Sequence, residues 1–252
     1  MLEKPATQRV MVQGAWVEYA LAGEGPRTLV LINGAGGPVE GWMRVFAPLS
    51  REARVFAYNR SGIGRSDKPA APQTVARMLA ALRSLLGQLG LRPPYVLVGH
   101  SFGGLIANLF ARCHPDEVAA VVMLEATAPD DVGALAAHLG AVQRLVMQLL
   151  ERVLPPDPMA ETAHAEASVE ELALAPAFPP VPLFVITGGK PAMSWVTPTA
   201  ARALRAAHQR GLANLSPCGR QIIAARSGHF PQLIEPQLVI GVIREALAKI
   251  PY

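Results

Sequence analysis

The sequence predicts an α/β fold: a mostly parallel sheet with helices on both faces. Three observations carry this. Short apolar runs alternate with amphipathic helical stretches over residues 28–124. They are preceded by a segment that alternates residue by residue, the mark of a half-exposed hairpin. Between them, Tyr95-Val96-Leu97-Val98 runs into Gly99-His100-Ser101-Phe102-Gly103 and then directly into a helical stretch, Leu105 to His114.

Residues 8–22 form the hairpin, with Val10 and Val12, then Gln13-Gly14, then Trp16-Val17-Glu18-Tyr19-Ala20. Thr28 to Ile32 holds a short continuous apolar run, typical of a strand buried on both faces. A Gly-rich loop, Asn33 to Gly37, follows. Glu40 to Ser50 is expected to be one helix, with Trp42 (a core residue), Val45, Phe46 and Leu49 at helical spacing. Arg54 to Tyr58 is the next strand, and a polar loop runs on to Pro72. Thr74 to Leu89 is an amphipathic helix closed by Gly90. Val118 to Leu124 is another buried strand.

The alternation then breaks. Residues 126–180 hold two helical stretches and no strand signal. Val132 to Val153 is long and apolar-rich, and Glu161 to Leu174 is shorter and acidic. Pro155-Pro156-Asp157-Pro158 separates them. Strand character resumes at Leu183 to Thr187. A helix is expected over Thr199 to Arg210, a last strand over Gln221 to Ala225 and a closing helix over Gln232 to Lys249.

The 252 residues, 51% of them apolar, suit one α/β domain, with residues 126–181 inserted in it. No apolar run is long enough for a membrane span, and the N-terminus has no apolar signal core. A soluble, cytoplasmic protein is the expectation. Cys113 and Cys218 read as two free thiols. Residues 126–181 carry eight carboxylates against two arginines, a net −6, while the whole chain is +4. This reads as an acidic insertion on a basic body, or as drift on a solvated surface. The basic residues are scattered without aromatic interleaving, so no nucleic-acid partner is expected. Neither metal-ligand spacing nor a dinucleotide fingerprint occurs, and no metal or cofactor is implied.

The chemistry centres on Ser101. A Gly-x-Ser-x-Gly turn between an apolar strand and a helix holds the serine hydroxyl out from the backbone, with Ser101 in a strained conformation. A serine nucleophile needs a base within reach, and the base needs a group to orient it. Of six histidines, His138, His164 and His208 fall on helices, His114 ends one, and His100 is a structural residue of the turn. Only His229, in Ser227-Gly228-His229-Phe230, lies in a loop straight after the last strand. In a parallel sheet that is the edge where the serine also lies.

With these residues in hand, the sequence resembles the α/β-hydrolase family. The resemblance spans almost the whole chain. It rests on the serine turn, on Leu31-Ile32-Asn33-Gly34-Ala35-Gly36-Gly37, on Tyr58-Asn59-Arg60-Ser61-Gly62-Ile63-Gly64-Arg65-Ser66, and on Ser227-Gly228-His229-Phe230. It implies an α/β-hydrolase fold, a mostly parallel eight-stranded sheet flanked by helices, with residues 126–181 as a helical cap. Most relatives place the acid after the seventh strand, but Gly188 to Trp195 holds no carboxylate. Some members take it from the end of the sixth strand, which here is Glu125; Asp130 and Asp131 are the weaker alternatives. By motif position the oxyanion donors are the Ala35 and Phe102 N–H groups. Asn33 stands where many relatives have His, and either side chain can brace the loop by hydrogen bonding. Asn59 stands where relatives often have Asp, which alters a structural ion pair.

The resemblance implies a serine hydrolase that cleaves an ester-like bond through an acyl-enzyme. Ser101 is the nucleophile, His229 the base and Glu125 the acid. The substrate is expected to be small or medium and hydrophobic, contacting Gly34, Met147, Phe178, Met193 and Trp195. The same triad serves lactone, carbamate and amide hydrolases, and relatives include cofactor-free lyases, haloperoxidase-like enzymes and carbon–carbon bond hydrolases. A ligand-binding receptor on the same scaffold is the non-enzyme alternative. The partners expected are a small-molecule substrate and a second copy of the chain in a homodimer.

Overall fold

The computed structural model describes residues 4–132, 161–190 and 199–249. Eight strands form one sheet in the order β1-β2-β4-β3-β5-β6-β7-β8. They are β1 (Gln8–Val12), β2 (Ala15–Ala22), β3 (Thr28–Ile32), β4 (Arg54–Tyr58), β5 (Tyr95–His100), β6 (Val118–Leu124), β7 (Leu183–Gly188) and β8 (Gly219–Ala224). The hairpin β1–β2 joins β4 antiparallel, and every other pairing is parallel.

The helices are α1 (Phe46–Ser50), α2 (Val75–Gln88), α3 (Gly103–Cys113), α4 (Ala165–Leu174), α5 (Thr199–Ala213), α6 (Pro231–Ile234) and α7 (Pro236–Ala248). The period-two alternation of the strands sorts their side chains onto two faces. Val30, Ile32, Phe56, Leu97, Val121 and Met123 pack with α2 and α3. Leu29, Leu31, Val55, Val98, Val122 and Ile186 face the other way, against Trp42, α1 and α7. Burial on both faces explains why these strands are apolar at nearly every position. Trp42 is fully buried.

Two expected helices are broken, and prolines break both. Glu40 to Ser50 is not one helix: a 3-10 turn covers Val39–Trp42, and α1 begins only at Phe46. Pro48 lacks the N–H that a continuous helix needs there, so it fits only in a first turn. The closing helix divides at Glu235, whose φ of −125° and ψ of 56° are not helical. The residue before a proline is steered away from the helical region, and Pro236 then opens α7. The last strand also starts earlier than expected, at Gly219.

Of the stretch between β6 and β7, the described residues form a 3-10 turn at Pro129–Asp131, another at Thr162–His164, and α4. The expected helix over Val132 to Val153 lies outside the described residues from 133 onward. α4 docks on the N-terminus of α2. Ser168 Oγ accepts the Val75 N–H at 3.1 Å, and Glu171 accepts the Ala76 N–H at 2.8 Å. Two of the N–H groups a helix start leaves unpaired are thereby satisfied. Cys113 and Cys218 are free and exposed. Among the described residues no helix is long and apolar enough to cross a membrane.

Candidate active site

The parallel strands β3, β5, β6, β7 and β8 end at one edge of the sheet, and the loops that carry Gly34, Ala35, Ser101, Phe102, Glu125 and His229 follow there. Ser101 follows β5 directly, with φ at +50°. Its N–H donates to Leu124 O at 3.0 Å, and its carbonyl accepts from Gly104 and Thr127. This turn is tight enough to demand glycines. A Cβ on Gly103 would lie 2.3 Å from Ile32 O, and one on Gly99 would lie 2.6 Å from Gly103 O. A Cβ on Gly34 would lie 3.0 Å from Ser101 Cβ and 3.2 Å from His100 Nδ1, so Gly34 abuts the serine.

Glu125 follows β6 and is also at positive φ, 45°. Its side chain is buried. Oε1 accepts the Gly188 N–H at 2.7 Å, and Oε2 lies 3.5 Å from His229 Nδ1 and 2.8 Å from Arg205 Nη2. Burial pushes the carboxyl up. Hydrogen bonding to His229, the Arg205 charge and the Gly188 N–H outweigh it and hold Glu125 below the usual 4.5.

His229 sits on the loop after β8, which is clipped to the loop after β7. Lys190 N–H donates to Ser227 O at 2.9 Å, and Gly189 N–H to Ala224 O at 2.9 Å. Among the described residues no hydrogen bond joins Ser101 Oγ to His229. The Ala35 and Phe102 N–H groups likewise donate to no acceptor among the described residues. Phe102 is the first residue of the turn into α3, where N–H groups have no partner within the helix.

The loop after β3 is braced by Arg60, two residues past the end of β4. Arg60 Nη1 donates to Asn33 O at 2.7 Å and Nη2 to Gly34 O at 2.6 Å. The buried Asn33 Nδ2 has no partner among the described residues, so that donor does not brace the loop. Asn59 ties two other elements together, accepting from Val39 N–H and donating to Glu18, both at 2.8 Å.

Residues 27–167 match the alpha/beta hydrolase fold family. The chain belongs to that family. Over 98 residues it is 34% identical to an uncharacterised Bacillus subtilis protein, YqjL, covering 39% of each chain. It spans less than half the length of the curated relatives it matches. Among solved structures it is similar to an enol-lactonase from Burkholderia xenovorans, with a TM-score of 0.70 and 21% identity over 96% of this chain and all of that one. A thermophilic esterase from Thermogutta terrifontis matches with a TM-score of 0.66 and 22% identity, over 96% of this chain and 98% of that one.

In this α/β-hydrolase, then, Gly34, Ala35, Ser101, Phe102, Glu125 and His229 come from separate strand ends to one edge. Met147, Met193 and Trp195 lie outside the described residues. Phe178 is buried in the apolar cluster that also holds Leu105 and Leu172. Arg205 and Glu161 were not singled out from the sequence, and His100, expected as a structural residue of the turn, has a specific partner. Arg205, on α5, pairs with Glu125. His100 is buried with Nε2 2.7 Å from the His229 carbonyl, and burial, with the His229 charge, pushes its pKa down to about 4. A neutral His100 therefore braces the loop that carries His229. Glu161, between β6 and β7, meets Arg60. Asp131 is buried at the end of a 3-10 turn and pairs with Arg205 and His208.

Proposed function

We propose that the chain is a serine hydrolase that cleaves an ester-like bond in a small or medium hydrophobic substrate through an acyl-enzyme. The observation that carries this reading is Ser101 at φ +50° on the β5–α3 turn, at the sheet edge that also holds the Glu125–His229 pair. A left-handed serine costs about 1–3 kcal/mol, and such strain persists where the surrounding structure enforces it.

The steps follow from the donors and acceptors. His229 turns Nδ1 to Glu125, which leaves Nε2 to take the Ser101 proton as Oγ attacks the carbonyl carbon. Negative charge then grows on the carbonyl oxygen, where the Ala35 and Phe102 N–H groups, which have no acceptor among the described residues, donate. His229 passes its proton to the leaving alcohol. Water, deprotonated by His229, next attacks the acyl carbon, and Ser101 Oγ leaves and regains the proton. Ionised Glu125 stabilises the imidazolium in both halves. A lactone is a cyclic ester and would open by the same steps.

The test is hydrolysis of p-nitrophenyl esters from acetate to decanoate by the wild type and Ser101→Ala. Turnover lost in the variant, together with Ser101 labelling by a fluorophosphonate, supports the reading, and the chain-length optimum sizes the pocket. Neither turnover nor labelling would discard it in favour of a binding scaffold.

A further inference from the structure

The loop that carries Ala35 is held from the inserted stretch between β6 and β7. Arg60 and Glu161 form an ion pair with side chains only 3% and 0% exposed. Arg60 Nε and Nη2 both face the Glu161 carboxylate, Nη2 at 2.9 Å from Oε2. The same guanidinium donates to the Asn33 and Gly34 carbonyls. Glu161 Oε2 also accepts the Gly36 N–H at 2.6 Å. Gly34 O further accepts the Gly37 N–H at 3.1 Å, closing a turn in which Gly36 has φ of +64°.

This arrangement fixes one direction in the loop. In a trans peptide the C=O and N–H of the unit point opposite ways. Arg60 and Gly37 hold the Gly34 carbonyl, and that carbonyl shares its plane with the Ala35 N–H. The Ala35 N–H therefore points away from the guanidinium, next to the serine that Gly34 abuts. A cation on the carbonyl also polarises the amide and strengthens its N–H as a donor. The neighbouring Gly36 N–H is taken by Glu161. A buried guanidinium needs a carboxylate to neutralise it and to set the plane of its fork, and Glu161 supplies both.

We propose that Glu161 is a positioning residue for acyl transfer: through Arg60 it aims the Ala35 N–H at the developing oxyanion. The inference rests on the serine-hydrolase reading and adds to it that the inserted stretch completes the reacting site. Glu161 lies 101 positions from Arg60 in the chain.

The experiment compares two ketones shaped like the best ester. A trifluoromethyl ketone accepts Ser101 Oγ at its carbonyl carbon, gives an oxyanion, and sends the serine proton to His229. The matching methyl ketone binds without forming this adduct. In Glu161→Gln, kcat should fall about 10- to 100-fold with KM within about twofold, because a misaimed oxyanion donor is lost only in the transition state. The trifluoromethyl ketone should weaken by the same factor, and the methyl ketone should not change. An unchanged kcat and trifluoromethyl ketone affinity, or equal weakening of both ketones, would overturn the proposal. Glu161→Asp keeps the charge but shortens the reach, and carries the test if the Gln variant does not fold. A wild-type ratio between its two ketones would also overturn it. If the wild type forms no adduct that Ser101→Ala abolishes, the serine-hydrolase reading itself fails and takes this inference with it.

Discussion

Arg205 Nη2 lies 2.8 Å from Glu125 Oε2, closer than the 3.5 Å between that oxygen and His229 Nδ1. A permanent cation and an imidazole thus share one carboxylate oxygen. Asp131 stands on the other side of Arg205, at 3.3 Å from Nη1, and His208 Nδ1 lies 2.7 Å from Asp131. The series His229, Glu125, Arg205, Asp131 and His208 places each carboxylate between two nitrogen groups. This lets Glu125 stay ionised although it is buried, since an uncompensated charge there would be expensive.

Arg205→Gln should weaken the protein at neutral pH and flatten its response to acid. Glu125 has a folded pKa below its ordinary 4.5. Its contribution to stability is therefore present above about 4.5 and is lost as pH falls through the lower folded value. Removing the Arg205 charge raises the folded pKa and shrinks that contribution. Because Arg205 is 30% exposed, the cost is discounted to about 1 kcal/mol. Thermal unfolding from pH 3 to pH 7 reads it. A variant curve parallel to the wild type below pH 4.5 would refute the coupling.

Glu125→Gln should lower kcat by about ten-thousand-fold, as when a triad acid can no longer stabilise the imidazolium. Asp131→Asn should leave kcat within about tenfold, because Asp131 reaches Arg205 and His208 and makes no contact with His229. Steady-state kinetics on the preferred ester decide between the two carboxylates. A reversed order of effects would move the acid to Asp131.

What the sequence discloses here is what local pattern can encode. Thr28–Ile32, Arg54–Tyr58 and Val118–Leu124 are strands at the expected residues, because apolar runs with sharp polar ends mark strands buried on both faces. Ser101 and His229 are legible as candidates because each sits directly after a strand, or on the loop that follows one, whereas Glu125 is a candidate through the family resemblance. The helix breaks at Pro48 and Pro236 lie in the sequence too, but the apolar spacing runs across them and masks them. Arg60–Glu161 and Arg205–Glu125 join residues 101 and 80 positions apart. Such pairs leave no spacing to read, and an arginine or glutamate reads by default as a solvated surface residue.

His100 supplies a second pH signature, in a different window. Burial and the His229 charge push it down to about 4 from 6.5. The unfolded chain takes up this proton as pH falls through 6.5, whereas the folded protein resists it until about 4. Stability present above 6.5 should thus be lost between 6.5 and 4, by up to about 3 kcal/mol from this group. His100→Gln keeps an N–H donor for the His229 carbonyl and should remove that slope. Melting curves at half-unit intervals test it. An unchanged slope in this window would mean that another group carries it.

Gly34→Ala probes how closely the loop after β3 meets the nucleophile. Its added methyl would lie 3.0 Å from Ser101 Cβ and 3.2 Å from His100 Nδ1, inside ordinary contact distance. The loop must give by a few tenths of an ångström, and small misplacements near reacting atoms cost rate more than stability. kcat/KM should drop by about a hundredfold while the melting temperature changes little. Full activity in the variant would show that this loop does not set the geometry at Ser101.

Ser101 itself should trade stability against activity. At φ +50° a residue with a Cβ is strained and glycine is not. Ser101→Ala and Ser101→Gly both remove the hydroxyl, so both should lose ester turnover by about a million-fold. Their stabilities should part, however. Alanine keeps the strain, so Ser101→Ala should melt close to the wild type. Glycine releases it, at the cost of a more flexible unfolded chain, and Ser101→Gly should gain up to about 1 kcal/mol. Chemical denaturation of the three proteins side by side measures the difference. A glycine variant less stable than the alanine one would mean that the β5–α3 turn stores no strain at the serine, and the hydroxyl would then owe its exposed position to the surrounding glycines alone.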